Sequence, residues 1–311
     1  MDLGAGGGDD AAPATGVVAR GDDQPGTRFG LLVGGLHDDE VVQRLQRQVE
    51  TLRLLQHGRN DTPGVVDRRR FGSDRLDVDH FHSRFSDDNL RFWAPLFVDA
   101  AGIERGHRVL DVGCGTGGYA IEIAAAVSAE VTGIDESGRF VACAREDAGA
   151  VDFVVGDAER LPFADASFDR VLLSLVLHQL ERPEAALGEA FRVLGAGSRV
   201  LVRTIAPEDV HDRIPERYLP AMAAADAARL IPIDLLVQML QESGFVEVST
   251  TRVLRNKRLT LAEVETGIHA ERARYDSLSD AEVETALRQL REDGGPWIDP
   301  RPNTILIGAK C

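Results

Sequence analysis

Three acidic residues in the middle of the chain lie in or directly after apolar runs, and each is placed to bind part of a nucleoside-like ligand. Asp111 lies in the run 109–112, Asp135 ends a second run, and Asp157 follows a third. A carboxylate at the end of a strand can accept hydrogen bonds from two ribose hydroxyls at once. The carboxylate of Asp157, beside the backbone N–H of Ala158, suits the exocyclic amine and a ring nitrogen of adenine.

A glycine-rich turn separates the first apolar run from an apolar, helix-like segment at 119–127. A strand, a glycine turn and a helix in succession bring backbone N–H groups close to a ligand at the helix N-terminus. Asp111 is placed either to orient this turn or to accept a hydrogen bond from an amino group of the ligand. Three glycines of the turn also satisfy the dinucleotide fingerprint, with Asp135 at the spacing of its ribose-binding acid; they are Gly113, Gly115 and Gly118.

Five short motifs follow one another along the chain: V-L-D-V-G-C-G-T-G at 109–117, G-I-D at 133–135, G-D-A-E-x-L-P-F at 156–163, S-F-D at 167–169 and L-H-Q-L at 177–180. In this order and spacing they resemble the class I S-adenosylmethionine-dependent methyltransferases. The branch they resemble includes the ubiquinone/menaquinone methyltransferases and many small-molecule enzymes. The resemblance extends from about Phe85 to the C-terminus. A nicotinamide enzyme has no reason to carry the Asp157 motif, so the methyltransferases are favoured over the dinucleotide enzymes.

The resemblance implies an α/β fold with a Rossmann-like, seven-stranded, mostly parallel sheet and an antiparallel last strand. Helices cover both faces, and a helical N-terminal extension and a cap are added. The implied cofactor is S-adenosyl-L-methionine, which becomes S-adenosyl-L-homocysteine, and the implied reaction is methyl transfer to O, N or C of a small-molecule metabolite in specialised biosynthesis. The cofactor-binding residues implied are Asp111, Gly113, Gly115, Gly117, Asp135, Glu136, Asp157, Ala158 and Ser174.

The candidate catalytic residues are two histidines and a tyrosine. A sulfonium methyl donor is already activated, so the protein mainly has to hold the acceptor in line with it. A hydroxyl or amine acceptor also benefits from a base, and histidine is the commonest one. His178 follows the fourth predicted strand at the ligand-binding edge, although it can also serve only as a pocket wall; His211 and Tyr218 are second choices. No metal is expected, because the sequence offers no third metal ligand at a suitable spacing from His80 and His82.

Two other functions stay open on the same residues. One is an enzyme of this fold that uses the cofactor for cyclisation or rearrangement and transfers no methyl group. The other is a non-catalytic partner protein that has kept the fold. The complete glycine turn and the acids on the ribose and adenine sides argue against this second function. Fold alone does not decide between such functions.

Charge and cysteine content narrow the partners and the compartment. The chain of 311 residues has 51 Asp and Glu against 35 Lys and Arg, a net charge of −16. Such a charge repels nucleic acid and anionic membranes, although it can also serve solubility alone. Three cysteines without metal-ligand spacing indicate a reducing, cytoplasmic setting. No apolar run is long enough to span a membrane, and no signal pattern opens the chain.

The predicted organisation has three parts. Residues 1–36 form a disordered tail that is dispensable for catalysis, 37–85 form an N-terminal helix and connector, and 86–311 form the methyltransferase domain. Within the domain, 205–230 and 255–300 are predicted substrate-side cap segments. The 38–58 helix is predicted to pack on its own domain, and the alternative is a homodimer through this helix or through the 255–300 segment.

Two further expectations concern the ends of the domain. The last two strands are predicted at 245–253 and 304–309, with helices at 260–272 and 279–291 between them. The family resemblance implies that the segment before the first strand folds over the methionine end of the cofactor. This makes three aromatic residues candidates for a lid, or alternatively for packing of their helix onto the sheet: Phe81, Phe85 and Trp93.

Overall fold

The computed structural model describes residues 86–211, 213–274 and 278–311. The predicted tail and the 38–58 helix lie outside these residues. So do two of the lid candidates and both histidines of the weak metal pattern: Phe81, Phe85, His80 and His82.

Strands and helices alternate through the first five strands, except that β3 is followed by β4 without a helix between them. The strands are β1 (Arg108–Val112), β2 (Glu130–Asp135), β3 (Asp152–Val155), β4 (Phe168–Ser174), β5 (Leu194–Thr204), β6 (Val246–Leu259) and β7 (Trp297–Ala309). The helices are α1 (Asp87–Ala101), α2 (Gly118–Val127), α3 (Gly138–Glu146), α4 (Pro183–Val193), α5 (Pro220–Arg229), α6 (Ile233–Glu242), α7 (Leu261–Arg274) and α8 (Asp280–Asp293). None of these helices is both long and apolar enough to cross a membrane.

The strands form one seven-stranded sheet in the order β3-β2-β1-β4-β5-β7-β6. Strands β1 to β5 pair in parallel, and β7 runs antiparallel to both of its neighbours. The predicted fold is confirmed for the described residues. This order places the carboxyl ends of β1 to β5 along one edge and reverses the winding between β1 and β4, the point at which open α/β sheets bind ligands.

Separate apolar cores cover the two faces of the sheet. On one face α1, α2 and α3 pack through Trp93, Phe97, Ile123 and other residues that are almost fully buried. On the other face α4 and α6 pack through Leu187 and Leu236. Helices on both faces were predicted, and the strands between them are apolar on both sides, as buried parallel strands are.

The last two strands are longer than predicted. They remain paired beyond the main sheet, from Leu254 opposite Pro302 to Leu259 opposite Trp297. The prolines in β7 argue against a strand in a sequence pattern, but proline is tolerated on an edge where its missing N–H is not needed. Residues 255–259 and 297–300, predicted as cap, are therefore strand.

The cap segments pack on each other around a small core of their own. Ile214, Met222, Ile268 and Leu290 are among its buried members, so both predicted segments contribute. Asp299 of β7 is fully buried and accepts the backbone N–H of Ile214 at 2.9 Å. This hydrogen bond fixes the first cap segment to the paired strands.

Candidate active site

The glycine turn after β1 has backbone conformations that residues other than glycine adopt only with strain. Gly113, Gly115 and Gly117 all have positive φ angles, of 70°, 56° and 82°. A Cβ atom on Gly113 would lie 2.5 Å from the side chain of Val176, and one on Gly117 would lie 2.5 Å from the ring of Phe153. Glycine is therefore required by both conformation and space.

Hydrogen bonds hold this turn against β2. The backbone N–H groups of Gly113 and Cys114 both donate to the carbonyl of Ile134, at 2.8 and 3.0 Å. The Asp135 carboxylate accepts the N–H of Gly115 at 2.9 Å and that of Ser137 at 2.9 Å. One of the two roles predicted for Asp111 was to orient the turn. In the structure, the carboxylate that accepts a hydrogen bond from the turn is that of Asp135.

Two buried carboxyls lie at the ends of β1 and β2. Asp111 is 3 % exposed, and no described residue donates a hydrogen bond to it. Burial, together with the negative charge of Asp135, raises the pKa of Asp111 to about 7. Burial also raises the pKa of Asp135, and the two backbone N–H groups that it accepts oppose this rise. A cationic or hydroxyl-bearing ligand would stabilise both carboxylates.

The polar groups around the turn fit S-adenosylmethionine. Each Asp135 oxygen accepts one N–H and has a lone pair left for a ribose hydroxyl. Asp111 offers a carboxylate to an ammonium group. The buried hydroxyl of Thr116 has no hydrogen-bond partner among the described residues, and no side chain caps the N-terminus of α2. An uncapped helix start can take the carboxylate of an amino acid.

The adenine-side residues lie after β3. Asp157 is exposed, and its Oδ1 accepts the backbone N–H of Glu159 at 2.8 Å, which leaves the other oxygen available. Ala158 is buried and Glu136 is exposed. The structure thus places the predicted cofactor residues, apart from Ser174, at or after the ends of three adjacent strands.

The end of β4 carries Ser174 and, one short turn later, His178. Both side chains are half-buried, and His178 lies on a single 3₁₀ turn, Leu177–Gln179. Between them Leu175 has φ 58°, a left-handed conformation that is rare for leucine, and its N–H donates to the carbonyl of Arg203 at 2.9 Å. Such strain is concentrated at functional sites, where the surrounding structure maintains it.

The second-choice catalytic residues lie in the first cap segment. His211 is exposed on a turn. The Tyr218 hydroxyl donates to the Asp293 carboxylate of α8 at 2.8 Å, and burial together with this bond raises the pKa of Tyr218. A tyrosine held in this way is a cap contact, and its catalytic role stays a prediction.

Sequence reasoning missed Arg203, the penultimate residue of β5. Its Nε donates to Asn303 Oδ1 at 2.9 Å, and its Nη1 donates to Tyr119 Oη at 3.1 Å. Its guanidinium carbon lies 3.8 Å from the centre of the Trp93 ring. Trp93 is 2 % exposed, so it packs its helix onto the sheet, which was the alternative to a lid. An arginine directly after the apolar run 200–202, near the ligand-binding end of a predicted strand, was the available signal.

Comparisons with known proteins agree with this geometry. Residues 110–202 match a family model described as a methyltransferase domain. A demethylmenaquinone methyltransferase of Renibacterium salmoninarum is 35% identical over 178 residues, which cover 51% of this chain and 75% of the relative. The chain belongs to the class I S-adenosylmethionine-dependent methyltransferases. This methyltransferase falls in their ubiquinone/menaquinone-like branch.

Two further proteins that are similar to the methyltransferase carry names that describe different reactions. An O-methyltransferase of Aspergillus nomiae is 41% identical over 162 residues, covering 48% of this chain and 68% of the relative. A solved structure of the 4+2 cyclase SpnF aligns with a TM-score of 0.50 at 24% identity, covering 71% of this chain and 81% of that one. The structural match shows the shared fold. The methyltransferase is thus an enzyme that uses S-adenosylmethionine to methylate small molecules.

Proposed function

We propose that the methyltransferase binds its cofactor along the ends of β1, β2 and β3. Asp135 takes the ribose hydroxyls, Asp157 and the backbone of Ala158 take the adenine, and Asp111 takes the ammonium group. What supports these roles is the free acceptor capacity at Asp135 and the absence of any described donor to Asp111. Gly113, Gly115 and Gly117 give the backbone access to the methionine part; Glu136 and Ser174 border the same site.

We further propose that the acceptor binds at the ends of β4 and β5, under the cap, and that His178 is its general base. The cofactor, when bound, supplies a methyl group on a positively charged sulfur. The protein has to hold the acceptor atom in line with that methyl group and to accept a proton from a hydroxyl or amine. The place of His178, directly after β4, supports this role. A carbon acceptor or an already ionised substrate would leave His178 as a pocket wall.

The observation that carries the proposal is the pair of buried carboxyls beside the glycine turn. The test is incubation with S-adenosylmethionine labelled on its methyl group and a panel of phenols, amines and enolisable ketones. We expect labelled product and S-adenosylhomocysteine in equal amounts. A rearranged product with the cofactor left intact would instead indicate the cyclisation alternative, and no S-adenosylhomocysteine with any acceptor class would contradict the proposal.

The biological setting is also a proposal. Specialised biosynthesis is supported by the enlarged cap, which packs around a core of its own. The charge of −16 argues against a nucleic acid or anionic membrane partner, and the three cysteines, which form no disulfide among the described residues, support a cytoplasmic setting. A homodimer through the 255–300 segment stays a prediction, to be measured by light scattering.

A further inference from the structure

Arg203 is a buried cation on the acceptor side of the sheet. Its side chain is almost fully buried, at 8 % exposed, and it lies opposite Ser174 of β4 in the strand register. All of its hydrogen-bond partners among the described residues are neutral: Asn303, Tyr119 and, at 3.5 Å, Ser174. Its Nη2 group donates to no described residue, and no described carboxylate lies within ion-pair distance of it.

A buried charge without a counter-ion is costly, so a buried arginine is normally paired. The other buried arginine among the described residues follows that rule, since Arg255 contacts the carboxylate of Asp88. Burial lowers the pKa of Arg203, and the positive charges of Arg255 and Arg213 lower it further against an opposing effect of Tyr119. Arg255 and Arg213 each have a carboxylate partner, Asp88 and Glu216, whereas no described carboxylate pairs with Arg203.

The strand order separates the backbone of Arg203 from the glycine turn, although its side chain reaches back to Ser174 and to Tyr119 at the start of α2. β5 lies two strands from β1 and three from β2. Neighbouring strands are about 4.8 Å apart, so β5 lies about 10 Å from the strand that leads into the glycine turn. The anionic group of the cofactor is its carboxylate, which the uncapped start of α2 can take. The anion that completes the hydrogen bonding of Arg203 is therefore assigned to the acceptor.

We propose that Arg203 binds an anionic group of the methyl acceptor, so that the substrate class is small molecules with a carboxylate or phosphate. The inference rests on the proposed function of the site. The Nη2 group supplies two N–H donors, and charge-assisted bonds from a guanidinium to anionic oxygens are stronger than neutral ones. Trp93, Asn303 and Tyr119 hold the guanidinium in place before the substrate arrives. Such preorganisation lowers the entropic cost of binding.

The stacking of Trp93 on the guanidinium provides a direct test. The chain has two tryptophans, so Trp297→Phe leaves Trp93 as the only indole. In this variant, saturated with S-adenosylhomocysteine, benzoate and phenyl phosphate are titrated against neutral benzamide while Trp93 fluorescence is recorded. We expect at least one anion to bind at least tenfold more tightly than benzamide, and the tighter anion identifies the group. Equal responses to all three probes would overturn the inference.

Variants assign the response to Arg203. Arg203→Gln should weaken anion binding at least tenfold, whereas Arg203→Lys should keep the preference over benzamide. Arg229→Gln, which breaks the ion pair with Asp226, is the matched control and should leave anion binding unchanged. Unchanged anion binding in Arg203→Gln would overturn the inference.

Two additional measurements keep the test decisive. If Arg203→Gln does not fold, the inference is tested on the parent protein alone. A preference for anions that is lost at high salt supports it, and the absence of such a preference overturns it. Calorimetry with S-adenosylhomocysteine separates the two proposals. Tight binding of S-adenosylhomocysteine without anion preference contradicts only the role of Arg203, whereas weak binding of S-adenosylhomocysteine contradicts the proposed cofactor site.

Discussion

The proposed cofactor side and acceptor side of this site differ in the charge and the kind of their ligand-binding groups. At the ends of β1 and β2 the proposed ligand-binding groups are backbone N–H groups and two buried carboxyls, Asp111 and Asp135. At the ends of β4 and β5 the proposed groups are side chains, His178 and the buried cation Arg203. The negative side suits the positively charged sulfur and ammonium groups of S-adenosylmethionine, and the positive side suits an acceptor that carries an anionic group.

The two sides also differ in how the chain assembles them. The turn from β1 to α2 is one continuous segment, and Asp135 reaches it from the next strand. The surroundings of Arg203 combine residues from α1, α2, β5 and β7, as far apart in the sequence as Trp93 and Asn303. Substitutions at the acceptor side are therefore expected to alter turnover or specificity, whereas those at the cofactor side alter cofactor affinity.

The largest expected effect is on turnover, at His178. As general base for a hydroxyl or amine, His178→Ala should lower kcat by about 10²–10⁴. The affinity for S-adenosylmethionine should change less than twofold, because His178 follows β4 and not β1 or β2. Steady-state kinetics and calorimetry measure the two effects, and added imidazole should restore part of kcat. Gln179→Ala is the control, since that exposed side chain donates only to the carbonyl of Leu175. A loss of only a few-fold would make His178 a pocket wall.

A second prediction concerns the stability of the cofactor side without ligand. Because the pKa of Asp111 is raised to about 7, the folded protein holds a proton that the unfolded chain releases near pH 4. The unfolding free energy should therefore fall as pH rises from about 4 to about 7, by at most about 4 kcal/mol.

Asp111→Asn removes this titration. The variant should be more stable than the parent at pH 8, with the difference disappearing near pH 4, and it should bind S-adenosylmethionine more weakly. Urea unfolding at both pH values measures the first effect. A variant that is less stable than the parent at pH 8 would show that Asp111 is a structural acceptor.

A third prediction concerns the attachment of the cap. Asp299→Ala leaves the buried N–H of Ile214 without its acceptor and breaks the ion pair with Arg301. The unfolding free energy should fall by about 2–3 kcal/mol. Because Asp299 lies outside the cofactor side, the affinity for S-adenosylhomocysteine should be unchanged in the folded variant. Asp299→Asn keeps an acceptor oxygen and should lose less. A large loss of cofactor affinity would mean that the cap and the cofactor side are coupled.

The sequence predicted the cofactor side better than the acceptor side for a physical reason. Turns with positive φ demand glycine, and strands buried on both faces are continuous apolar runs, so β1, β2 and the turn between β1 and α2 are visible in local patterns. The surroundings of Arg203 depend on contacts between residues distant in sequence, and no local pattern contains them. The length of β7 was not predicted, because its prolines argue against a strand. They are tolerated since this part of β7 pairs with β6 alone, which leaves an edge where a missing N–H costs nothing.

The most direct test of the account is cofactor affinity at Asp135. Calorimetry should show that Asp135→Ala binds S-adenosylmethionine roughly tenfold to a hundredfold more weakly, since losing a charged acceptor costs about 1.5–3 kcal/mol. Asp135→Asn keeps the size of the side chain and should fall between this variant and the parent, while His178→Ala should match the parent. Unchanged affinity in folded Asp135→Ala, or equal losses at Asp135 and His178, would contradict the division of the site into a cofactor side and an acceptor side.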